Sequence, residues 1–224
     1  MVGAVRGITL ALDAATYDGS VAVLRDGVTL AEAVVAMRGE TEERLMPAVL
    51  EAIGRAGVAI GDVARVVCGA GPGSFTSLRI AGAIAKGIAF GNDIPMFAAS
   101  SLALVVAGAE GLAHGDYLAV LDAMRGERYV APFRRRSDGR VVPAGDAARV
   151  PAAEVAGVAA RFGALAIGPL EARVAAPHPR GVARLLDAIV AAGPVDLDAW
   201  EPAYGRLAEA QVKWEAAHGR PLVP

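Results

Sequence analysis

Three strand-like runs stand ahead of the first helix-like run, and that order restricts what this chain can fold into. "GITLALD", "SVAVLRDG" and "VTLAEAVV" are rich in aliphatic and β-branched residues, and Asp26-Gly27 between the last two is a hairpin signal. "TEERLMPAVLEAIGRAG" then repeats apolar residues at helical spacing. Leu45, Val49, Ile53 and Ala56 share a face, Thr41 is a candidate cap, and Pro47 must lie near the start. A strand "VARVVCGAG", a long helix from Ser77 to Gly91, a strand "IPMFAASS" and a helix capped by Ser100 or Ser101 follow. Hairpin strands followed by crossover units predict an α/β fold with a mixed sheet and helices packed on it. A plain dinucleotide-binding order would alternate strand and helix from the first strand.

A boundary falls near "AGAEGLAHGD". Beyond it come two strands, an arginine-rich hairpin around Asp138-Gly139, and short helices and strands to about Pro202. "EPAYGRLAEAQVKWEAAHGR" reads as a last helix. The reading is therefore an N-terminal lobe over 1–107, a smaller lobe over 108–202, and a helix over 203–219 packing back on the first lobe. Both halves begin with a strand ending in aspartate, "LALD" and "LAVLD", which hints at related lobes.

Composition narrows the function. With 54% hydrophobic and 21% charged residues, the 224-residue chain is a packed globular protein. A net charge of −2 gives no global attraction to nucleic acid. No window reaches the roughly 18 apolar residues that span a bilayer, and the apolar start is too short for a signal-peptide core. A cytoplasmic location without membrane attachment is expected. The single cysteine, Cys68, sits in an apolar run and reads as a buried thiol.

The stretch "GAGPGSFTSLRIAGAIAKGIAFG" opens like a phosphate loop, yet it lacks the Gly-Lys-Ser/Thr of a Walker loop and the G-x-G-x-x-G spacing. Two readings stand. Free backbone N–H groups at the helix N-terminus behind the loop hold an anion, or the loop is a rigid turn with Ser74 or Ser77 capping the helix. Asp13 is open in the same way, as a carboxylate placing a hydrated cation or as an Asx-turn residue. The helix carries only Arg79 and Lys86 as charges, and small residues recur at Ala81, Ala85 and Ala89 and at Ala83, Gly87 and Gly91. Such a helix is buried on both sides, between domains or against another chain. Arg125, Arg128, Arg134, Arg135, Arg136 and Arg140 form either a polyphosphate site or a solvated hairpin. His114, His178 and His218 are isolated, no G-x-S-x-G elbow occurs, and neither a metal site nor a catalytic residue is identified.

"ITLALDAATYDGSVAVL", "EERLMPAVLEAI", "CGAGPGSFTSLRIAGAIAKGIAFGNDIPMFAASSLALV", "LDAMRGERYVAPF" and "EPAYGRLAEAQVKWE" together resemble the TsaB (YeaZ) family in order and spacing. The resemblance implies a two-lobed actin-like ATPase fold (actin/Hsp70/sugar-kinase, ribonuclease H-like) with mixed sheets flanked by helices. It implies a non-catalytic dimerisation subunit of the complex that forms N6-threonylcarbamoyladenosine at position 37 of tRNAs reading codons that begin with adenine. A TsaD-like catalytic subunit and a TsaE-like ATPase would be partners, with a homodimer when the chain is alone and tRNA reached only through the complex. No cofactor is required by this chain. ATP or ADP and metal are expected on the partners. Leu45, Met46, Val49, Arg79, Ile80, Ala83, Ile84 and Gly87 are the expected partner-binding residues, and Asp13, Gly71, Gly73, Ser74 and Thr76 are expected as a vestigial nucleotide contact. Departures from the family pattern are Thr41-Glu42-Glu43-Arg44 before the first helix, Ser77 where a glycine is usual, and "DAMRGERY" in place of a second phosphate motif. A stand-alone ATP-binding regulator and a glycoprotease-like hydrolase are the alternatives.

Overall fold

The Asp26-Gly27 pair makes the turn it signals. Both residues take left-handed backbone angles, φ 52° and 81°, and join strand β2 (Asp18–Arg25) to β3 (Val28–Ala36). The computed structural model describes residues 6–37, 43–205 and 217–219. Strand β1 (Ile8–Asp13) pairs antiparallel with β2 and parallel with β4 (Val63–Gly69), and β4 pairs parallel with β5 (Met96–Ala99). The sheet order is β3-β2-β1-β4-β5.

Helix α1 (Leu45–Arg55) and helix α2 (Phe75–Gly91) cover one face of this sheet. Thr41 and Glu42, expected at the start of α1, lie outside the described residues. The carboxylate of Glu43 instead accepts from the Leu45 and Met46 N–H groups, satisfying donors that a helix start leaves open. Pro47 falls in that same first turn, where its missing N–H removes no helical bond.

The second sheet repeats the first. Strand β6 (Gly115–Asp122) pairs antiparallel with β7 (Glu127–Arg135) and parallel with β10 (Leu165–Gly168). β7 pairs with β8 (Val141–Pro143) and with β9 (Ala148–Pro151), and β10 pairs with β11 (Arg173–Val174). The order β8-β7-β6-β10-β11 is that of the first sheet, with β6 in the place of β1. The echo of "LALD" in "LAVLD" is thus a topological repeat. β9 and β11 were not legible in the sequence.

Among the described residues, three apolar cores result. One lies between α1, α2 and the first sheet, around Leu10, Leu12, Leu45, Val49 and Met96. A smaller one lies between the second sheet and helix α4 (Val155–Arg161). The largest lies between the two sheets and contains helix α3 (Ser101–Gly108), every residue of which is buried. Ser100 caps α3, its hydroxyl accepting from the Ala103 N–H at 3.4 Å. Among the described residues, the helix buried on every side is therefore α3. α2 buries only one face.

The chain then returns to the first lobe. A 3-10 helix (Pro179–Arg184) packs on α3, β1, β2 and β3, and helix α5 (Leu186–Ala191) packs on β5. The Val195 N–H bonds to the Met96 carbonyl at 2.8 Å, covering the β5 edge. Of the helix expected over 203–219, residues 206–216 lie outside the described residues and 203–205 are not helical. Among the described residues no helix is long and apolar enough to cross a membrane. The architecture is α/β, with two mixed sheets flanked by helices.

Candidate docking face and glycine loop

Helix α2 presents two unlike sides. Leu78, Ala81, Gly82, Ala85, Ile88 and Ala89 face the sheet and are buried. Arg79, Ala83, Gly87 and Phe90 recur at helical spacing on the other side and are exposed, while Ile80 and Ile84 flank them half-buried. Phe90 is 82% exposed. An ideal Cβ built on Gly87 meets nothing within 4 Å. A mid-helix glycine costs about 1 kcal/mol relative to alanine, and nothing among the described residues requires it.

Of the residues expected on the α1 side of this surface, Leu45 and Val49 are fully buried in the chain's own core. That is a correction. Their stripe is the one that seals α1 to the sheet, so a partner cannot reach it. Met46 is half-buried, and Leu50, four residues on, is 55% exposed. Leu50 and Phe90 were missed by the sequence reading. The signal was present, since Leu50 continues the row of Met46, and Phe90 continues the row of Arg79, Ala83 and Gly87.

The glycine loop is built differently. Asp13 ends β1 and is 1% exposed. Its Oδ1 accepts from the Ala15 N–H at 2.9 Å, an Asx turn. Its Oδ2 accepts from the Ser101 hydroxyl at 2.5 Å, and Ser101 Oγ accepts from the Gly71 N–H at 3.0 Å. Burial pushes the Asp13 carboxyl above its ordinary value, opposed by the bonds from Ala15 and Ser101. The carboxylate expected to face a nucleotide is sealed inside the protein.

The loop residues are also occupied. The Ser74 N–H bonds to the Ala15 carbonyl at 2.8 Å. A methyl group added at Gly73 would overlap that carbonyl, and one at Gly69 would overlap the Asp13 carboxylate. Gly71, at φ 85°, lies under the Ala203 carbonyl. Ser74 stands at the N-cap of α2 without a capping bond, and its hydroxyl pairs with that of Ser77 at 3.0 Å. Thr76 is exposed. Among the described residues, no group of three or more His, Cys, Asp or Glu is placed to hold a metal ion.

Three of the six arginines around the hairpin, Arg128, Arg134 and Arg140, are ion-paired. Arg134 bonds Asp116 through two nitrogens at 2.7 and 3.1 Å, Arg128 bonds Asp122 at 2.7 Å, and Arg140 bonds Asp138 at 2.7 Å. Arg134 holds the Asp116 carboxyl below its usual range. Cys68 is buried, and burial followed by the neighbouring Asp13 raises its thiol far above the usual range.

Residues 36–168 match the family model described as "TsaD: tRNA N6-adenosine threonylcarbamoyltransferase". The tRNA threonylcarbamoyladenosine biosynthesis protein TsaB of Escherichia coli is 37% identical over 133 residues, 58% of this chain and 56% of that protein. The protein of the same name from Bacillus subtilis is 33% identical over 130 residues, 57% of this chain and 56% of that protein. The chain thus spans about half the length of these relatives. A solved structure, YeaZ from Pseudomonas aeruginosa, superposes with a TM-score of 0.74 at 28% identity, covering 88% of this chain and 99% of that one.

Proposed function

The chain belongs to the family described as TsaD, tRNA N6-adenosine threonylcarbamoyltransferase, and within it to the TsaB (YeaZ) proteins, and from this premise we propose that it is a non-catalytic docking subunit in the synthesis of N6-threonylcarbamoyladenosine in tRNA. Its partner is a TsaD-like subunit that carries nucleotide and metal, with a TsaE-like ATPase joining the complex. Alone, the chain pairs with a second copy. Transfer of the threonylcarbamoyl group to adenosine 37 takes place on the partner, and tRNA is held by the assembly.

One observation carries this reading. Gly87 sits exposed in the middle of α2 with open space around its Cα, between Ala83 and a ring, Phe90, that is 82% exposed. A face of that kind suits the close approach of another backbone, with Phe90, Leu50, Ile80 and Ile84 supplying apolar area. The glycine loop supports the non-catalytic part, because Asp13, Gly71 and Gly73 are engaged by the chain itself. The ATP-binding regulator has less support for the same reason. The paired arginines favour tRNA contact through the complex.

The test is reconstitution of threonylcarbamoyl transfer from purified subunits. The chain alone should show no transfer. The complete mixture should be active, and omission of this chain, or its replacement by Ala83→Arg, should lower the rate at least tenfold. Turnover by the isolated chain that disappears with Asp13→Ala would overturn the proposal.

A further inference from the structure

Residues 200–205 contact both lobes. On the first-lobe side, Trp200 and Pro202 lie against Gly82 of α2, where an added Cβ would meet them at 3.4 and 3.5 Å. Lys86 stands over the Trp200 ring at 5.9 Å. The Ala203 N–H donates to the Ala70 carbonyl at 2.7 Å, and the Ala203 carbonyl covers Gly71. The Tyr204 ring packs on Phe75 with centroids 4.5 Å apart. On the second-lobe side, the Tyr129 hydroxyl donates to the Tyr204 carbonyl at 3.4 Å, and Gly205, at φ 70°, is pressed against the Tyr129 ring.

We infer that residues 200–205 form a strap that ties the second lobe to α2 and holds the glycine loop shut. The strap is distinct from the docking face, since it touches the Gly82 side of α2 and leaves Ala83 and Gly87 exposed. Two of these contacts require glycine, since an added Cβ would overlap the Ala203 carbonyl at Gly71 and the Tyr129 ring at Gly205, whereas at Gly82 it would make ordinary contact with Trp200. Besides the core they share, the lobes also meet where the Tyr17 hydroxyl donates to Met124 Sδ at 3.4 Å, between the β1–β2 and β6–β7 turns. Closure here is a built contact between two lobes of like topology, made by chain that belongs to neither sheet.

Amide hydrogen exchange on the full chain tests it. In the unaltered protein the Ala203 amide should be protected along with that of Gly71. Tyr204→Ala should speed exchange at Ala203 and Gly71 roughly tenfold while the β2 amides keep their rates. Tyr204→Phe, which retains the ring on Phe75, should match the unaltered protein. Free exchange at Ala203 in the unaltered protein would overturn the strap, and so would loop amides indifferent to Tyr204→Ala. An equal rise over β2, or Tyr204→Phe behaving like Tyr204→Ala, would also overturn it.

Discussion

The two lobes share a strand order but finish it differently. In the first, the crossovers into β4 and β5 are α1 and α2. In the second, the crossover into β10 is α4, of 7 residues, and β10 passes to the two-residue β11 with no helix between. The aspartates that end the equivalent strands diverge as well. Asp13 is sealed and bonded to Ser101, whereas Asp122 is exposed and paired to Arg128. Both keep the Asx turn, accepting from Ala15 and Met124 respectively. One topology thus supports two outcomes. The first lobe spends its longest helix on an exposed apolar face, and the second is trimmed to a sheet and one short helix.

The largest expected effect breaks the pair of aspartates apart. Asp13→Ala strands the buried Ser101 hydroxyl and Ala15 N–H without a partner and should cost about 3 kcal/mol in denaturant melts. Asp122→Ala removes a surface pair and should cost about 0.5 kcal/mol. Because burial favours the protonated Asp13 carboxyl, its contribution is greatest at low pH and falls as pH rises through its raised folded value. Asp13→Asn should therefore cost less than Asp13→Ala at neutral pH. Equal costs for Asp13→Ala and Asp122→Ala would show that the two strand ends are equivalent.

The seam between the lobes should show a smaller effect. His178 is 8% exposed, its Nδ1 accepts from the Arg180 N–H at 3.2 Å, and its Nε2 lies 3.9 Å from Glu32. Arg180 also pairs with Glu32 and with Glu110. Burial, then Arg180, lowers the imidazole to about 4. A lowered value stabilises the fold fully above the unfolded value of 6.5 and is lost as pH falls from there to 4. Allowing for solvent screening, the loss is about 2 kcal/mol. His178→Gln should flatten the melting-temperature profile over that window, and an unchanged slope would remove His178 from the seam.

Much of the fold was legible because its signals are local. Asp26-Gly27, Pro47, Ser100 and the strand-final aspartates each act within a few residues. The site was legible only in outline. Helical spacing gave the row of Ala83, Gly87 and Gly91, all exposed, but it could not say that Leu45 and Val49 seal the core, because a partner and a sheet ask for the same residues. Asp13 was undecided for a like reason, since Ser101, 88 positions away, is what closes it. β9 and β11 gained no pattern from a few residues each, and they exist because β7 and β10 offer them an edge.

The smallest expected effect concerns the second lobe's hairpin. Reversing Arg134 to Glu breaks its pair with Asp116 and should change tRNA binding by the assembled complex less than tenfold, read by filter binding at fixed salt. A greater loss with assembly intact would make this lobe a nucleic-acid surface.

The claim that docking belongs to the first lobe is tested most directly by two matched glycines. Gly87 on α2 and Gly157 on α4 are both exposed helical positions with open space around the Cα. Gly157 is neighboured by the charged Glu154 and Arg161 and Gly87 by Ala83 and Phe90. Sedimentation of Gly87→Glu and Gly157→Glu, alone and with the TsaD-like partner, sets one lobe against the other. Gly87→Glu should weaken association at least a hundredfold, about 3 kcal/mol, with a native-like melt, since it would place an unpaired charge in the proposed interface. Gly157→Glu should leave association unchanged. Undiminished association by Gly87→Glu, or its loss in Gly157→Glu, would contradict the account.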